Sequence, residues 1–128
     1  MIYLDSSVLL ARIFTEKRRP PDAFWRQPFV SSQLLEYEVI NRILVRKVAP
    51  EYLDDAHNFI SRAQLLDLTP PILARALQPF PVSVRTLDGL HLASMDFLRA
   101  EGQTIEVATY DTRFATAATA LGFQLAAL

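Results

Sequence analysis

Residues 2–7 read Ile-Tyr-Leu-Asp-Ser-Ser and residues 105–111 read Ile-Glu-Val-Ala-Thr-Tyr-Asp, and these two stretches decide the fold. Each is a short, mostly apolar run with an aspartate after it, a pattern that predicts a buried strand leading into a helix. We predict strands over Ile2–Leu4 and Ile105–Thr109. Asp5 and Asp111 then lie just beyond the carboxyl ends of these strands.

The same order of strand and helix recurs along the rest of the chain, with no internal repeat or linker. Further strands are predicted at residues 29–30, 65–68 and 123–125, and helices at 8–14, 33–47, 50 onward, 70–78, 87–100 and 112–121. Short apolar strands that alternate with helices imply a parallel sheet covered on both faces. Such sheets bind ligands beyond the carboxyl ends of their strands, where Asp5 and Asp111 fall.

The composition is typical of one folded domain over residues 1–128. Hydrophobic residues make up 51% of the chain, and no apolar run approaches the roughly 20 residues that span a bilayer. The first residues lack a basic segment, so we expect no signal peptide. Cysteine is absent, which excludes disulfides and Cys-ligated zinc and fits a cytoplasmic location.

Four acidic residues, Asp5, Glu38, Asp88 and Asp111, lie at strand ends or in the first two turns of helices in this layout. If these positions lie next to one another in the fold, the four carboxylates converge. Like charges at such short distances require a cation. A hard ion such as Mg²⁺ or Mn²⁺ prefers oxygen ligands and fits such a cluster. Taken alone, each acid has an ordinary alternative as a turn former, a helix cap or part of a solvated face.

The net charge of the chain, −1, is not that of a typical nucleic-acid-binding domain. Setting the four carboxylates aside leaves +3 for the rest of the molecule. The distribution of charge therefore matters more than its total.

Four local motifs resemble those of PIN domains, and specifically those of VapC-type toxins of toxin–antitoxin pairs. They are IYLDSSV around Asp5, SSQLLEYEVINR around Glu38, LDGLHLA around Asp88 and TYDTRF around Asp111. In order, they span essentially the whole chain. Gly89 stands where the family more often has Ala. Glu36 is a rival for Glu38, which we prefer because it matches the family's spacing to the following Val-Ile-Asn-Arg.

This resemblance implies a three-layer α/β/α sandwich and Mg²⁺- or Mn²⁺-dependent endonucleolytic cleavage of RNA. The four acids would be metal ligands, directly or through water. Ser6 and Thr109 would support the site by hydrogen-bonding an acid or a metal-bound water, although Ser6 also suits a plain helix cap and Thr109 a plain strand. A homodimer and a small antitoxin that blocks the site are also implied.

Basic residues offer candidate contacts to RNA phosphates. Arg42 and Arg46 follow Glu38 by four and eight residues and share its helix face, and residues 17–19 (Lys-Arg-Arg) lie in the loop after the first helix. An ordinary solvated surface is the alternative for both groups. His91, three residues after Asp88, we interpret as structural.

Other enzymes built on acidic clusters fit less well. A haloacid-dehalogenase-type phosphatase needs Asp where Ser7 stands, and a phosphorelay receiver needs a late Lys, whereas no Lys follows Lys47. The 3 glycines form no Walker or dinucleotide-binding motif. The remaining alternative is a catalytically silent PIN-like module that binds RNA or protein.

Overall fold

The computed structural model describes residues 1–128, which form a five-stranded parallel sheet with six helices around it. The strands are β1 (Ile2–Leu4), β2 (Phe29–Ser32), β3 (Gln64–Leu66), β4 (Glu106–Ala108) and β5 (Gln124–Leu125). The helices are α1 (Ser6–Ile13), α2 (Leu34–Arg46), α3 (Glu51–Ile60), α4 (Pro70–Ala76), α5 (Thr86–Ala100) and α6 (Thr112–Ala120). The predicted α/β class with a parallel sheet is confirmed.

Alternate side chains of β1 enter two separate cores, one on each face of the sheet. Ile2 and Leu4 pack into a core with residues of α1, α2 and α3, whereas Tyr3 packs into a second core with residues of α5 and α6. This follows from the two-residue period of a strand. Because both faces are covered, β1 is apolar throughout, and the molecule has the three-layer α/β/α arrangement.

The strand order β3-β2-β1-β4-β5 places β1 at the centre, and every neighbouring pair is parallel. From β1 the chain builds outward first through β2 and β3 and then, on the other side, through β4 and β5. This reversal between β1 and β4 opens a crevice at the carboxyl ends of those strands, where sheets of this kind bind ligands. Asp5 and Asp111 follow the two strands that border it.

Besides shifts of one or two residues at strand ends, such as β3 over Gln64–Leu66 rather than 65–68, two local features differ from the sequence predictions. Strand β2 continues through Ser31 and Ser32, both fully buried, beyond the two residues predicted. Serine is tolerated there because the Ser31 hydroxyl donates to the Leu4 carbonyl oxygen at 2.8 Å, which satisfies it inside the sheet. A short 3₁₀ helix over Asp22–Arg26, not predicted, buries Phe24 against Phe29.

Helix α5 is anchored near its carboxyl end and has space for a side chain in its first turn. Near its carboxyl end, Asp96 accepts hydrogen bonds from Arg75 of α4 at 2.7 Å and from Arg99 at 2.8 Å. In its first turn, a methyl group on Gly89 would meet Val84 Cγ2 at 3.4 Å, which is ordinary contact. No helix of this fold has both the length and the apolar character needed to cross a bilayer.

Candidate active site at the carboxyl edge of the sheet

Asp5 lies at the base of the crevice, held by two hydroxyl groups. Ser7 Oγ donates to Asp5 Oδ2 at 2.6 Å, and Thr109 Oγ1 donates to the same oxygen at 2.7 Å. Neither contact uses Oδ1. The Asp5 amide also donates to the Ala108 carbonyl oxygen at 3.0 Å, so the β1–β4 pairing runs directly into the site.

Burial makes the Asp5 carboxyl group harder to ionise. The residue is 7% exposed, and this desolvation raises its pKa, with Glu38 adding a smaller repulsion. Hydrogen bonds from Ser7 and Thr109 work in the opposite direction but do not cancel the effect of burial. A buried carboxylate with a raised pKa is stabilised by a cation placed beside it.

Glu38 projects from α2 and is oriented by a buried chain of polar groups. His91 Nε2 lies 2.5 Å from Glu38 Oε1, and His91 Nδ1 lies 2.8 Å from the Tyr3 hydroxyl. Burial raises the pKa of Tyr3, so its phenol stays protonated and can donate to Nδ1. His91 then donates from Nε2 to Glu38, a tautomer we assign from these partners. Ser6 Oγ donates weakly to Glu38 Oε2, at 3.4 Å.

Asp88 and Asp111 are bridged by an arginine. Arg85, the residue before α5, places Nε 2.8 Å and Nη2 2.7 Å from Asp88 Oδ2. The same Nη2 also donates to Asp111 Oδ2. A protein cation therefore already lies between these two acids.

Asp111 also caps α6. Its Oδ1 accepts from the amides of Arg113 at 3.0 Å and Phe114 at 3.2 Å. Partial burial pushes the pKa of Asp111 upward, but the hydrogen bonds from Arg85 and from the helix amides outweigh it and lower the pKa. Both of its oxygens thus have donors, and the carboxylate stays charged.

All four predicted acids line one cavity of about 440 Å³, together with Ser6, Ser7, Arg42 and Arg85. As they stand, no three acidic or histidine side chains are close enough to hold one metal ion. The structure thus brings Asp5, Glu38, Asp88 and Asp111 to one site, with Asp88 and Asp111 bridged by an arginine and Asp5 and Glu38 bonded to none. Glu36, the rival candidate, is exposed and lines a different groove.

A second, basic groove of about 400 Å³ adjoins this cavity and shares Ser7, Arg42 and Asp111 with it. Arg42, Arg46 and Arg18 line it and outnumber its two acids, Glu16 and Asp111, so the two predicted helix arginines and one residue of the basic loop meet here. The Arg18 guanidinium lies 4.6 Å from the Tyr110 ring centroid, and that of Arg46 lies 4.1 Å from the Phe14 ring centroid. Stacked guanidinium groups and aromatic rings are surfaces on which nucleic acids bind.

Three residues of the site were missed by the sequence analysis. Ser7 binds Asp5 more closely than Ser6 binds Glu38. His91 is buried, as its structural interpretation requires, but it also orients Glu38. Arg85 precedes Asp88 by three residues, a spacing at which opposite charges meet on helices, and this was the available signal.

The chemistry of the donor set fits a hard divalent cation. Asp5 Oδ1 accepts no hydrogen bond from Ser7 or Thr109, which both donate to Oδ2. Glu38 Oε2 has only the long contact to Ser6. Carboxylate oxygens in this number suit Mg²⁺ or Mn²⁺, which keep several water ligands. Asp5 and Glu38 are the residues best placed to hold such an ion.

Comparison with known proteins agrees with this fold. A model of the PIN domain family matches residues 2–120, and the chain belongs to that family. It is similar to Ribonuclease VapC35 of Mycobacterium tuberculosis, in the strains CDC 1551 / Oshkosh and ATCC 25618 / H37Rv, at 29% identity over 99% of this chain and 96% of the relative. It is also 26% identical to Ribonuclease VapC47 of strain CDC 1551 / Oshkosh, over 96% of this chain and 93% of the relative.

Proposed function

We propose that this chain, as one PIN domain over residues 1–128, is a Mg²⁺- or Mn²⁺-dependent endoribonuclease. The observation that carries the proposal is the single cavity at the carboxyl edge of the sheet, lined by Asp5, Glu38, Asp88 and Asp111. Membership of the PIN family and similarity to two proteins named as VapC ribonucleases support RNA as the substrate. A catalytically silent binding module would not need a buried aspartate of raised pKa, such as Asp5, beside three other acidic residues.

In this proposal each group has a defined task. Asp5 and Glu38 would hold a divalent ion, which would lower the pKa of a bound water and offset charge that develops on the phosphodiester. Ser7 and Thr109 hold Asp5 in one rotamer, and His91 does the same for Glu38, so the ligand oxygens are fixed before the ion arrives. Ser6 adds its weak hydrogen bond to Glu38.

The basic groove is the proposed path of the RNA backbone. Arg42 lines both the acidic cavity and the basic groove, so a phosphate bound to it lies beside the acids. Arg46 and Arg18 continue the charge away from the cavity. Single-stranded RNA fits this surface best, because its unpaired bases can stack on guanidinium planes such as those of Arg18 and Arg46.

A protein that blocks the site, such as the antitoxin expected for a VapC-like toxin, has a surface available beside the cavity. On α2 the side chains of Tyr37, Leu44 and Val45 are 61%, 58% and 67% exposed. Tyr37 and Val45 line a groove that also contains Glu38 and Arg42. Exposed apolar side chains next to a functional site are typical of partner-binding surfaces. The expected homodimer is part of the same proposal and is tested by light scattering.

The test of the nuclease proposal is cleavage of a fluorescently labelled single-stranded RNA with Mn²⁺, with Mg²⁺ and with EDTA. Wild-type protein should cut the RNA only with a metal ion present, and Asp5→Asn should lose at least about 100-fold in rate. Asp55→Asn, which removes an exposed aspartate of α3, is the matched control and should cut normally. RNA binding without metal-dependent cleavage would instead indicate the silent module.

A further inference from the structure

The guanidinium group of Arg85 occupies the space between two of the four acids. Its contacts to Asp88 Oδ2, at 2.7 and 2.8 Å, and to Asp111 Oδ2 place one positive charge where two carboxylates face each other. An arginine in a protein does not lose its proton, so this charge is permanent.

Core packing does not force Arg85 into this position. Its side chain is 43% exposed, and its backbone is the extended residue directly before α5. The side chain reaches the acids from the rim of the cavity. What holds it there is the pair of carboxylates.

The four acids consequently form two unlike halves. On the Asp5–Glu38 side, no arginine is bonded to either carboxylate, and Asp5 Oδ1 is free of the hydroxyl contacts. On the other side, Asp111 gives Oδ1 to the α6 amides and Oδ2 to Arg85. Two-metal nucleases require carboxylates that serve two ions about 3.5–4 Å apart. Here one guanidinium already offsets part of the charge of Asp88 and Asp111, and both oxygens of Asp111 are committed to donors.

We propose that Arg85 takes the place of a second metal ion, so that this site holds one divalent cation, on the Asp5–Glu38 side. The inference rests on the proposed function, because it concerns the metal content of the same site. It assigns Arg85 a positioning role: the guanidinium holds Asp88 and Asp111 together and supplies part of the positive charge that another ion would bring.

The experiment counts the Mn²⁺ ions bound per chain, by measuring the electron paramagnetic resonance signal of free Mn²⁺ in equilibrium dialysis. Wild-type protein should bind one ion and Arg85→Gln two, because the neutral amide leaves Asp88 and Asp111 uncompensated. Arg85→Lys keeps the charge and should bind one. Arg75→Gln removes an arginine from a comparable pair with Asp96, outside the cavity, and should also bind one. Circular dichroism checks that each variant is folded.

The outcomes separate the two proposals. Two ions on wild-type protein, or one or none on folded Arg85→Gln, would overturn the assignment of Arg85 while leaving the nuclease proposal standing. Two ions on Arg85→Lys would also overturn this assignment, since the positive charge kept by lysine would then not have excluded the second ion. No Mn²⁺ on wild-type protein would overturn both proposals.

Discussion

Replacing Thr109 by Val tests whether the hydroxyl at the end of β4 stabilises the site as its contacts indicate. Valine has nearly the same shape, so the substitution opens no cavity. It removes the donor to Asp5 Oδ2, at 2.7 Å, and the acceptor for the Asp111 amide, at 3.0 Å. A hydrogen bond to a charged group contributes about 1.5–3 kcal/mol and one between neutral groups about 1. We therefore expect the free energy of unfolding to fall by about 3 kcal/mol at a pH where Asp5 is ionised.

The assay is urea unfolding followed by circular dichroism in EDTA. With a slope of about 2 kcal/mol per molar urea, the expected loss moves the midpoint down by about 1.5 M. Thr116→Val is the matched control, because its exposed hydroxyl donates only to the Thr112 carbonyl oxygen of its own helix. That variant should stay within about 0.5 kcal/mol of wild type.

The pH dependence makes the test sharper. Thr109 stabilises the ionised form of Asp5, so its removal raises further a pKa that burial has already raised. The part of the stability loss that involves Asp5 should be full at pH values above the raised pKa of Asp5. It should shrink as the pH falls through that pKa. If Thr109→Val destabilised the protein no more than Thr116→Val, the account of how Asp5 is held would be refuted.

Three further outcomes are expected. Asp96→Asn should cost about 1 kcal/mol at neutral pH. Burial raises the pKa of Asp96, but its two arginine partners lower it more. The loss of stability should therefore vanish as the pH falls below the pKa of an unfolded aspartate, about 3.9, and through the lower pKa of Asp96 in the folded protein. Gly89→Ala should raise the unfolding free energy by up to about 1 kcal/mol in the same urea assay, since the added methyl meets Val84 only at 3.4 Å; a loss would mean that this turn cannot accept it. For RNA bound in EDTA, Arg42→Ala should reduce the slope of log affinity against log salt by about 0.7, and Arg26→Ala, outside the groove, should not.

The fold was predictable because its signals are local. A three-residue apolar run followed by Asp5 indicates a strand end without any knowledge of the rest of the chain, and Asp111 does the same for β4. Parallel strands bring their carboxyl ends to one edge, so placing these two acids together required only the sheet type. The short 3₁₀ helix escaped because five residues carry no clear periodicity.

The contacts that tune the site were not predictable, because they join residues far apart in the sequence. His91 meets Glu38 across 53 positions, and Thr109 meets Asp5 across 104. Whether a histidine in an apolar helix touches an acid depends on how α2 and α5 pack on opposite faces of the sheet. Arg85 is a mixed case, because Asp88 is close to it in the sequence whereas Asp111 is not.

The position of β1 at the centre of the sheet has a consequence for synthesis on the ribosome. The first strand to be translated must wait for β4, more than a hundred residues later, before its second edge is paired and Asp5 gains the Thr109 hydroxyl. Until that last part of the polypeptide has emerged, the nascent chain holds an unfinished pocket. The proposed metal site around Asp5 is therefore completed only near the end of translation.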